Sequence, residues 1–335
     1  MELIKPGTKI NFIGYMLHAV GISGLAILIS LIGILVWPGP NWGIDFAGGA
    51  EMQVSFNKPI EMGRLRSAVE SLGLGEVKVQ RWMEIGEDES NKYLIRMEEL
   101  AVDEAEMESN PEPRAGDTAG AAESGASGKS ASMVEAKLAE VFGQGSFEVM
   151  KTDFVGPRVG KELRNKGFLS LFVANFLILI YITLRFEFRF AVGAVIALVH
   201  DVTITLGAII WTHREVNLTT IAALLTIIGY SLNDTIVIYD RIRENQRKMR
   251  RLTFGEIINV SINETLSRTI LTSFTVFIVV LFLFLLGGGV INDFAFAMLV
   301  GVVVGSYSTI YVASAFVVWL ESLRAKKRTV APETK

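Results

Sequence analysis

The chain has 335 residues, half of them hydrophobic, with a mean hydropathy of +0.41 and a formal net charge of −3. This composition is too apolar for an ordinary water-soluble protein and indicates a membrane protein instead. The small net charge says little about partners. The chain has no cysteine, so any part that folds outside the cytoplasm must do so without disulfides.

Six apolar segments have the length that a membrane-spanning helix requires, about 20 residues. We predict spans at 18–37, 168–184, 190–212, 216–239, 267–287 and 294–320. The first segment is longer than a signal-peptide core and no A-x-A cleavage site follows it, so we interpret it as an uncleaved anchor. The predicted organisation is an N-terminus and first span (1–37), an exported domain (38–166), five further spans (167–323) and a basic tail (324–335).

Lysine and arginine residues are concentrated on one side of the six predicted spans. The clusters are Lys5 and Lys9, Arg185 and Arg189, Arg241 to Arg251, and Arg324 to Arg328. The opposite side has only Arg214 in its short connections. By the positive-inside rule we expect both termini in the cytoplasm and the exported domain on the far side of the membrane.

Alternating and helical patterns predict that the exported segment is a small α+β domain. Strands are predicted at 50–57, 76–83, 92–97 and 146–154, and helices at 59–72 and 133–142. The order β-α-β-β-α-β is that of the split βαβ, ferredoxin-like arrangement. Residues 101–132 contain no leucine, isoleucine or aromatic residue and have seven acidic residues against two basic ones. We therefore predict a disordered acidic insert there.

Six polar residues fall within or at the start of the predicted spans: Asn175, His200, Asp201, Asn233, Asp234 and Arg268. A carboxylate in the centre of a membrane helix costs about 2.5 to 3.5 kcal/mol on insertion scales, so such residues usually have a function. Burial favours the protonated carboxyl, and a nearby arginine favours the carboxylate. Asp234, Arg268 and Asp201 are therefore candidates for proton coupling. The alternative is a static Asp234–Arg268 pair that holds two helices together.

The remaining polar residues are predicted to support the structure. Asn175 and Asn233 are expected to form hydrogen bonds between helices, and His200 to be a satisfied polar residue near the proton site. Gly301-Val-Val-Val-Gly305 is a small-xxx-small pattern that indicates close helix packing. We expect this flank to meet a partner bundle.

Signatures of soluble enzymes are missing from the sequence. The three histidines are far apart and not spaced as metal ligands, and no nucleophile elbow is present. Residues 125–130 resemble only the end of a phosphate-binding loop, without the first glycine or a preceding strand. The sequence therefore predicts no catalytic, metal or nucleotide site, and we expect no nucleic-acid partner.

Several motifs resemble the SecD/SecF family of protein-export membrane proteins. Gly43-Ile-Asp45-Phe-Ala-Gly48-Gly49 resembles the opening of the family's exported domain, and Val155-Gly-Pro-Arg158-Val-Gly160 resembles the approach to its second span. The stretches 229–245, around Asp234, and 263–269, around Arg268, closely resemble the SecF branch. The similarity covers the first span, the exported domain except 101–132, and residues from about 146 to 325.

The resemblance implies a multi-pass protein of the bacterial inner membrane that works beside SecD and the SecYEG translocon. It implies use of the proton gradient, without a bound cofactor, to help export preproteins. Proton coupling falls on the positions of Asp234 and Arg268 and more weakly on Asp201. A proton-driven small-molecule exporter is one alternative, although such pumps have twelve spans and two large domains. A scaffold without ion coupling is another, but it leaves the intramembrane charges unexplained.

Overall fold

The computed structural model describes residues 9–73, 75, 77–82, 91–97 and 120–330, with side chains described except at 120–130, 289–290 and 324–330. In chain order the elements are α1 (Phe12–Leu35), β1 (Asn41–Trp42), α2 (Ile44–Ala47), β2 (Gly49–Phe56), α3 (Met62–Glu70), β3 (Val77–Trp82), β4 (Lys92–Met97), α4 (Gly120–Phe142), β5 (Phe147–Val155), α5 (Pro157–Arg185), α6 (Phe188–Trp211), β6 (Glu215–Val216), α7 (Leu218–Lys248), α8 (Phe254–Leu286), α9 (Gly289–Ser308), a π-helical turn (Thr309–Ala313) and α10 (Ser314–Val330). Helices therefore form most of the described chain.

Six helices of the described part are long and apolar enough to cross a membrane. They are α1, α5, α6, α7, α8 and the continuous segment Ile291–Leu323 that joins α9 to α10. The six predicted spans are thus confirmed, although the helices extend beyond them. The 33 residues of α8 measure about 50 Å at 1.5 Å per residue, against about 30 Å of hydrocarbon.

Polar caps explain where two of these helices begin. Asn217 and Thr220 form a capping box at the start of α7, and Thr253 and Glu256 form another at the start of α8. In each box a side chain satisfies a backbone N–H that has no partner within the helix. The helix α8 therefore begins 13 residues before the apolar segment predicted from hydropathy.

The exported domain has the predicted α+β fold. Its four strands pair in the order β3-β4-β2-β5, all antiparallel, which is the sheet order of the split βαβ arrangement. The helices α3 and α4 supply Leu65 and Leu138, and the strands supply Val54 and Ile95, to a core in which all four are fully buried. Along β4 buried residues alternate with partly exposed ones, as expected of a strand that packs one face on a core.

Two boundaries of the exported domain differ from the prediction. The helix α4 begins at Gly120 rather than Met133, so residues 120–132 are helical where disorder was predicted. The rest of the acidic insert, 101–119, lies outside the described residues. In addition, α5 begins at Pro157, so the predicted domain boundary at 166/167 falls inside a continuous helix. Proline at the first position of α5 explains this start, because its fixed backbone angle suits a helix N-terminus.

The described basic residues of the short connections, Arg214 excepted, lie at one end of the helix bundle, and the exported domain lies at the other. Arg189, at the start of α6, is ion-paired with Glu321 of α10. The backbone of Ile10, before α1, is hydrogen-bonded by Asn263 of α8. Arg214 lies at the opposite end, after α6, next to the exported domain. The structure therefore confirms that successive helices alternate in direction as the charge pattern predicted.

The small residues of α9 pack inside the chain. A Cβ atom on Gly301 would lie 2.2 Å from Cδ1 of Ile227, and one on Gly305 would lie 3.2 Å from Cβ of Ser231. Both contacts are with α7. The expectation that this flank faces a partner bundle was therefore wrong, because the glycines are used to bring α9 and α7 together.

Candidate functional site

The most completely buried charged group in the described bundle is Asp201, in the middle of α6. Its side chain is 0% exposed, and the neighbouring His200 is 2% exposed. Nδ1 of His200 lies 2.9 Å from Oδ1 of Asp201, and Nε2 lies 3.2 Å from Oγ of Ser23 in α1. The hydroxyls of Ser231 in α7 and Ser308 in α9 donate to Oδ2 of Asp201 over 2.6 and 2.8 Å. Four helices therefore meet at this carboxyl group.

The hydrogen bonds around His200 connect it to α1 and α9 through Ser23 and Tyr307. The hydroxyl of Tyr307 donates to the carbonyl of Ala19 (2.6 Å), so the hydroxyl of Ser23 must donate to Tyr307 (3.1 Å). Oγ of Ser23 can then only accept from Nε2–H of His200. The remaining contact joins Nδ1 of His200 to Oδ1 of Asp201. Each polar side-chain atom of the His200–Asp201 pair therefore has a hydrogen-bond partner inside the bundle, as buried polar groups require.

A π-helical turn begins directly after Ser308. In this turn Oγ1 of Thr309 lies 3.1 Å from Oγ1 of Thr235 in α7, and both side chains are buried. Turns of this kind interrupt α-helices and occur frequently at functional sites. Here the turn directly follows α9, and Ser308 and Thr309 place two hydroxyl groups in the same polar interior as Asp201.

Asp234 lies one helical turn after Ser231 on α7, about 4.5 Å further along the axis at 1.5 Å per residue. Its side chain is 3% exposed, and its Oδ2 atom is buried without a hydrogen-bond partner. Arg268, Thr272 and Ser273 of α8 are near enough to act electrostatically on it. Asp234 therefore lies between the Asp201 cluster and the polar residues of α8.

The structure does not join Asp234 and Arg268 directly. Within the described residues, no salt bridge of 4.0 Å or less links the two side chains, and Arg268 is exposed on the bundle surface. A static pair that holds α7 and α8 together is therefore not present in this state. Arg268 is instead placed where a long side chain can approach Asp234 or withdraw from it.

The two predicted asparagines do not form hydrogen bonds between helices in this chain. Asn175 donates to the carbonyl of Leu171 in its own helix (2.9 Å), and its Oδ1 atom is buried without a partner. Asn233 is exposed on α7. Their predicted roles as contacts between helices are therefore wrong for the described part of this chain, because Asn175 donates within its own helix and Asn233 is exposed.

The glycine-rich motif lies at the junction of the exported domain and the bundle. Gly43 N–H donates to the carbonyl of Val216 (3.0 Å), and β1 pairs in parallel with β6. Oδ2 of Asp45 accepts from the backbone N–H of Leu218 (3.0 Å), the first residue of α7. A carboxylate there satisfies an unpaired N–H and interacts favourably with the helix dipole. The motif thus holds the beginning of the helix that contains Asp234.

The last two glycines of the motif have backbone conformations that other residues rarely adopt. Gly48 has φ +84° and Gly49 has φ +121°. A Cβ atom on Gly48 would lie 2.8 Å from Cα of Pro157, at the start of α5. Glycine is needed here for both reasons, since it permits the positive φ and allows two backbones to meet.

An ion-pair cluster reinforces the same junction. Arg96 of β4 contacts Glu51 of β2 (2.5 Å) and Glu215 of β6. Because Glu215 belongs to the connection between α6 and α7, Arg96 ties the sheet of the exported domain to the helix bundle. The side chains are largely buried, with 18% exposure for Arg96 and 8% for each glutamate.

The sequence predicts Asp201, His200 and Asp234 as residues of the site, but it does not predict the hydroxyl groups around them. Ser23, Ser231, Tyr307 and Ser308 all belong to the cluster. One signal was available, because Ser306-Tyr-Ser308-Thr309 is a polar run inside an otherwise apolar span. Ser23 and Ser231 lacked such a signal, since isolated serines are common in membrane helices.

The six-helix bundle, the α+β domain inserted after its first helix and the buried ionisable centre define a polytopic membrane protein with an α+β domain at one end of the bundle. Two family models match this chain. The model described as "Protein export membrane protein SecD/SecF, C-terminal" matches residues 133–323, and that of the "SecD/SecF GG Motif" matches residues 38–60. The chain belongs to the SecD/SecF family.

Individual relatives agree with this family assignment. The "Protein translocase subunit SecF" of Calditerrivibrio nitroreducens is 42% identical, over 97% of this chain and 99% of the relative. The protein of the same name from Escherichia coli O157:H7 is 41% identical, over 94% and 89% of the two chains. The crystal structure of SecDF from Thermus thermophilus, described as a translocon-associated membrane protein, superposes with a TM-score of 0.75 at 34% identity. It matches 94% of this chain, which spans only 39% of that longer chain.

Proposed function

We propose that this protein is an accessory subunit of the bacterial Sec translocase that acts with SecD and uses the proton gradient to help export preproteins. Relatives that match over nearly their whole length are named translocase subunit SecF, which supports the first part. The solved SecDF chain is much longer than this one, which supports a partner that supplies the remainder. The partners in this proposal are SecD, the SecYEG translocon, the translocating preprotein and the surrounding lipid.

The observation that supports the proton coupling is the buried contact of 2.9 Å between Nδ1 of His200 and Oδ1 of Asp201. The neighbouring Ser231 connects this pair to α7, where Asp234 has an oxygen atom without a hydrogen-bond donor. Among the described residues no cation lies within 4.0 Å of Asp234, so a proton that reaches it removes a charge without an ion-pair partner. The two carboxyl groups can therefore hold protons in succession, with Ser231 positioned between them.

In this proposal Arg268 senses the protonation state of Asp234. When Asp234 is ionised, its charge attracts the arginine, and when Asp234 is protonated the attraction is lost. Arg268 lies on α8, so its approach or withdrawal changes how α8 packs against α7. The Asp45 contact transmits a displacement of α7 to the exported domain, because it links the glycine-rich motif to Leu218.

The proposed orientation places the basic end of the bundle and both termini in the cytoplasm, and the exported domain outside the inner membrane. The exported domain then lies where a preprotein emerges. The proton gradient supplies the free energy, so the proposal needs no bound cofactor and no catalytic residue.

The test replaces Asp234 by asparagine, which keeps the shape of the side chain but cannot take up or release a proton. We expect gradient-dependent maturation of a secretory preprotein to be abolished in cells. The amount of inserted protein should stay unchanged, because no ion pair is broken. Asp240→Asn is the matched control, since Asp240 is an exposed acid on the same helix.

A double variant distinguishes proton coupling from a structural role. If Asp234 and Arg268 formed a buried pair, Asp234→Asn alone would cost about 3 to 5 kcal/mol and reduce accumulation. The added change Arg268→Gln would then restore level and export together. Export by the double variant would contradict the proposed proton coupling, whereas continued loss of export at a normal level would support it.

A further inference from the structure

A basic cavity lies at the end of the bundle opposite the exported domain. It has a volume of about 470 Å³ and is enclosed by the end of α5, the start of α6 and the last turns of α7. Arg185, Arg243 and Arg247 supply its positive charge, and Phe186 and Phe190 form an apolar wall. We call this cavity the arginine pocket. The proposed proton site and the exported-domain junction do not use it.

Two of the three arginines have no carboxylate partner in the described chain. Arg243 and Arg247 are exposed and form no salt bridge of 4.0 Å or less with another described residue. Arg185 has only a long contact of 3.5 Å to Asp240, between side chains that are about half exposed. The one acidic residue of the pocket, Glu187, is already paired with Arg189 at 2.9 Å. The pocket therefore keeps an excess of positive charge.

The arginine pocket opens beside an apolar surface. Leu184 is 83% exposed, Phe188 is 60% exposed and Tyr181 is 52% exposed, all at the same end of α5 and α6. In a membrane-spanning bundle, exposed apolar side chains of this kind face lipid tails. A molecule with an anionic head and an apolar body would contact the arginines with its head and the exposed apolar side chains with its body.

We propose that the arginine pocket binds the phosphate group of an anionic phospholipid, with the acyl chains along Leu184, Tyr181 and Phe188. Arginine suits this ligand because its planar guanidinium donates two parallel hydrogen bonds to phosphate oxygens. Basic pockets between membrane helices on the cytoplasmic side are places where such headgroups bind. The lipid occupies a position between α5 and α7, and so stabilises the end of the helix that contains Asp234.

The test measures lipid retained by the full-length protein, purified with the partners it keeps. The protein is placed in nanodiscs of phosphatidylcholine, cardiolipin is titrated in, and native mass spectrometry counts the bound molecules. We expect saturable binding of cardiolipin. The variant Arg243→Gln with Arg247→Gln should weaken it about 30-fold, because each surface arginine contributes about 1 kcal/mol toward an anionic lipid.

A charge-matched control separates the pocket from a general attraction to the basic end. Arg250→Gln with Arg251→Gln removes the same charge from residues just beyond α7 that do not line the arginine pocket. This variant should bind cardiolipin within about twofold of the original protein. Equal loss in both variants would overturn the proposal, because it would show that binding follows net charge alone.

Two further outcomes also decide the source of the phosphate. Millimolar inorganic phosphate or glycerol phosphate should not displace cardiolipin, since neither contacts the apolar surface. Displacement by either would show a site for free phosphate and would overturn a lipid site. Retention of an acidic polypeptide, with no cardiolipin, would overturn it as well.

Discussion

The buried centre of the bundle and the junction with the exported domain both contain carboxylates, but they surround them differently. At the junction each carboxylate meets a positive partner: Glu51 and Glu215 contact Arg96, and Asp45 meets the N-terminus of α7. In the centre Asp201 meets a histidine and two hydroxyls, and Asp234 has an unpartnered oxygen.

This difference separates carboxylates that link the exported domain to the bundle from carboxyl groups without a fixed positive partner. A carboxylate beside a fixed cation or helix N-terminus stays ionised, because protonation would remove a favourable interaction. A carboxyl group among hydroxyls can exist in either form, because a hydroxyl is both donor and acceptor. In the proposed function the junction therefore transmits force, and the centre is the part that takes up and releases protons.

The largest effect that tests this comparison is expected from Asp201→Asn. The amide can accept from Ser231 and Ser308 and donate to Nδ1 of His200, so it imitates the protonated acid. We expect the protein to accumulate normally and gradient-dependent export to fall to the level of cells lacking it. Pulse-labelling of preprotein maturation measures this.

The control for Asp201→Asn removes a buried hydroxyl near Asp201. Thr205 lies one turn further along α6, is fully buried, and has an Oγ1 atom without a hydrogen-bond partner. Thr205→Val should leave export unchanged. If Asp201→Asn exports normally while Asp234→Asn does not, the His200–Asp201 pair has no role in coupling.

A smaller effect, on stability rather than coupling, is expected from Gly48→Ala at the junction. The new methyl group would lie 2.8 Å from Cα of Pro157, and the residue would keep an unfavourable φ of +84°. The expected loss of stability is about 3 kcal/mol or more, from strain and overpacking together. A lower melting temperature and faster proteolysis between β2 and α5 would show it.

Gly73→Ala is the matched control for Gly48→Ala, because Gly73 also has a positive φ, +67°, but has nothing within 4 Å of its Cβ position. It should lose only the conformational part, about 1 to 2 kcal/mol. Equal losses in the two variants would mean that the motif does not dock tightly against α5.

The smallest effect is expected from changes at Asp45. Asp45→Asn keeps an acceptor for the N–H of Leu218 and loses only the charge at the helix N-terminus, which is worth about 0.3 to 1 kcal/mol. Asp45→Ala also loses the hydrogen bond and should cost about 1 kcal/mol more. Thermal unfolding of the purified full-length protein measures both. A larger loss from asparagine than from alanine would contradict the capping role.

Much of the architecture was predictable because it depends on local patterns. The apolar lengths predicted six spans, the charge distribution predicted their alternation, and the period-2 stretches predicted the four strands of the exported domain. Helix ends were less predictable. A spanning helix continues into water where a cap such as Thr253 and Glu256 permits it, and hydropathy does not detect that.

The site was predictable only in part. Asp201, His200 and Asp234 are recognisable because charged or ionisable groups are rare in apolar segments. Asn175 and Asn233 were predicted for the same reason, although the structure places them outside the cluster around Asp201. Residue type alone does not reveal which way a side chain faces in a helix that is apolar on every side.

The class of protein, the number of its spans and its two intramembrane aspartates follow from the amino-acid sequence, since each depends on composition or on residues close together in the chain. The separation of Arg268 from Asp234, and the gathering of Ser23, Ser231 and Ser308 at the His200–Asp201 pair, depend on the tertiary structure. These contacts join residues 30 to 177 positions apart. They depend on how α1, α6, α7 and α9 pack, which is set by close contacts such as that of Gly301 with Ile227.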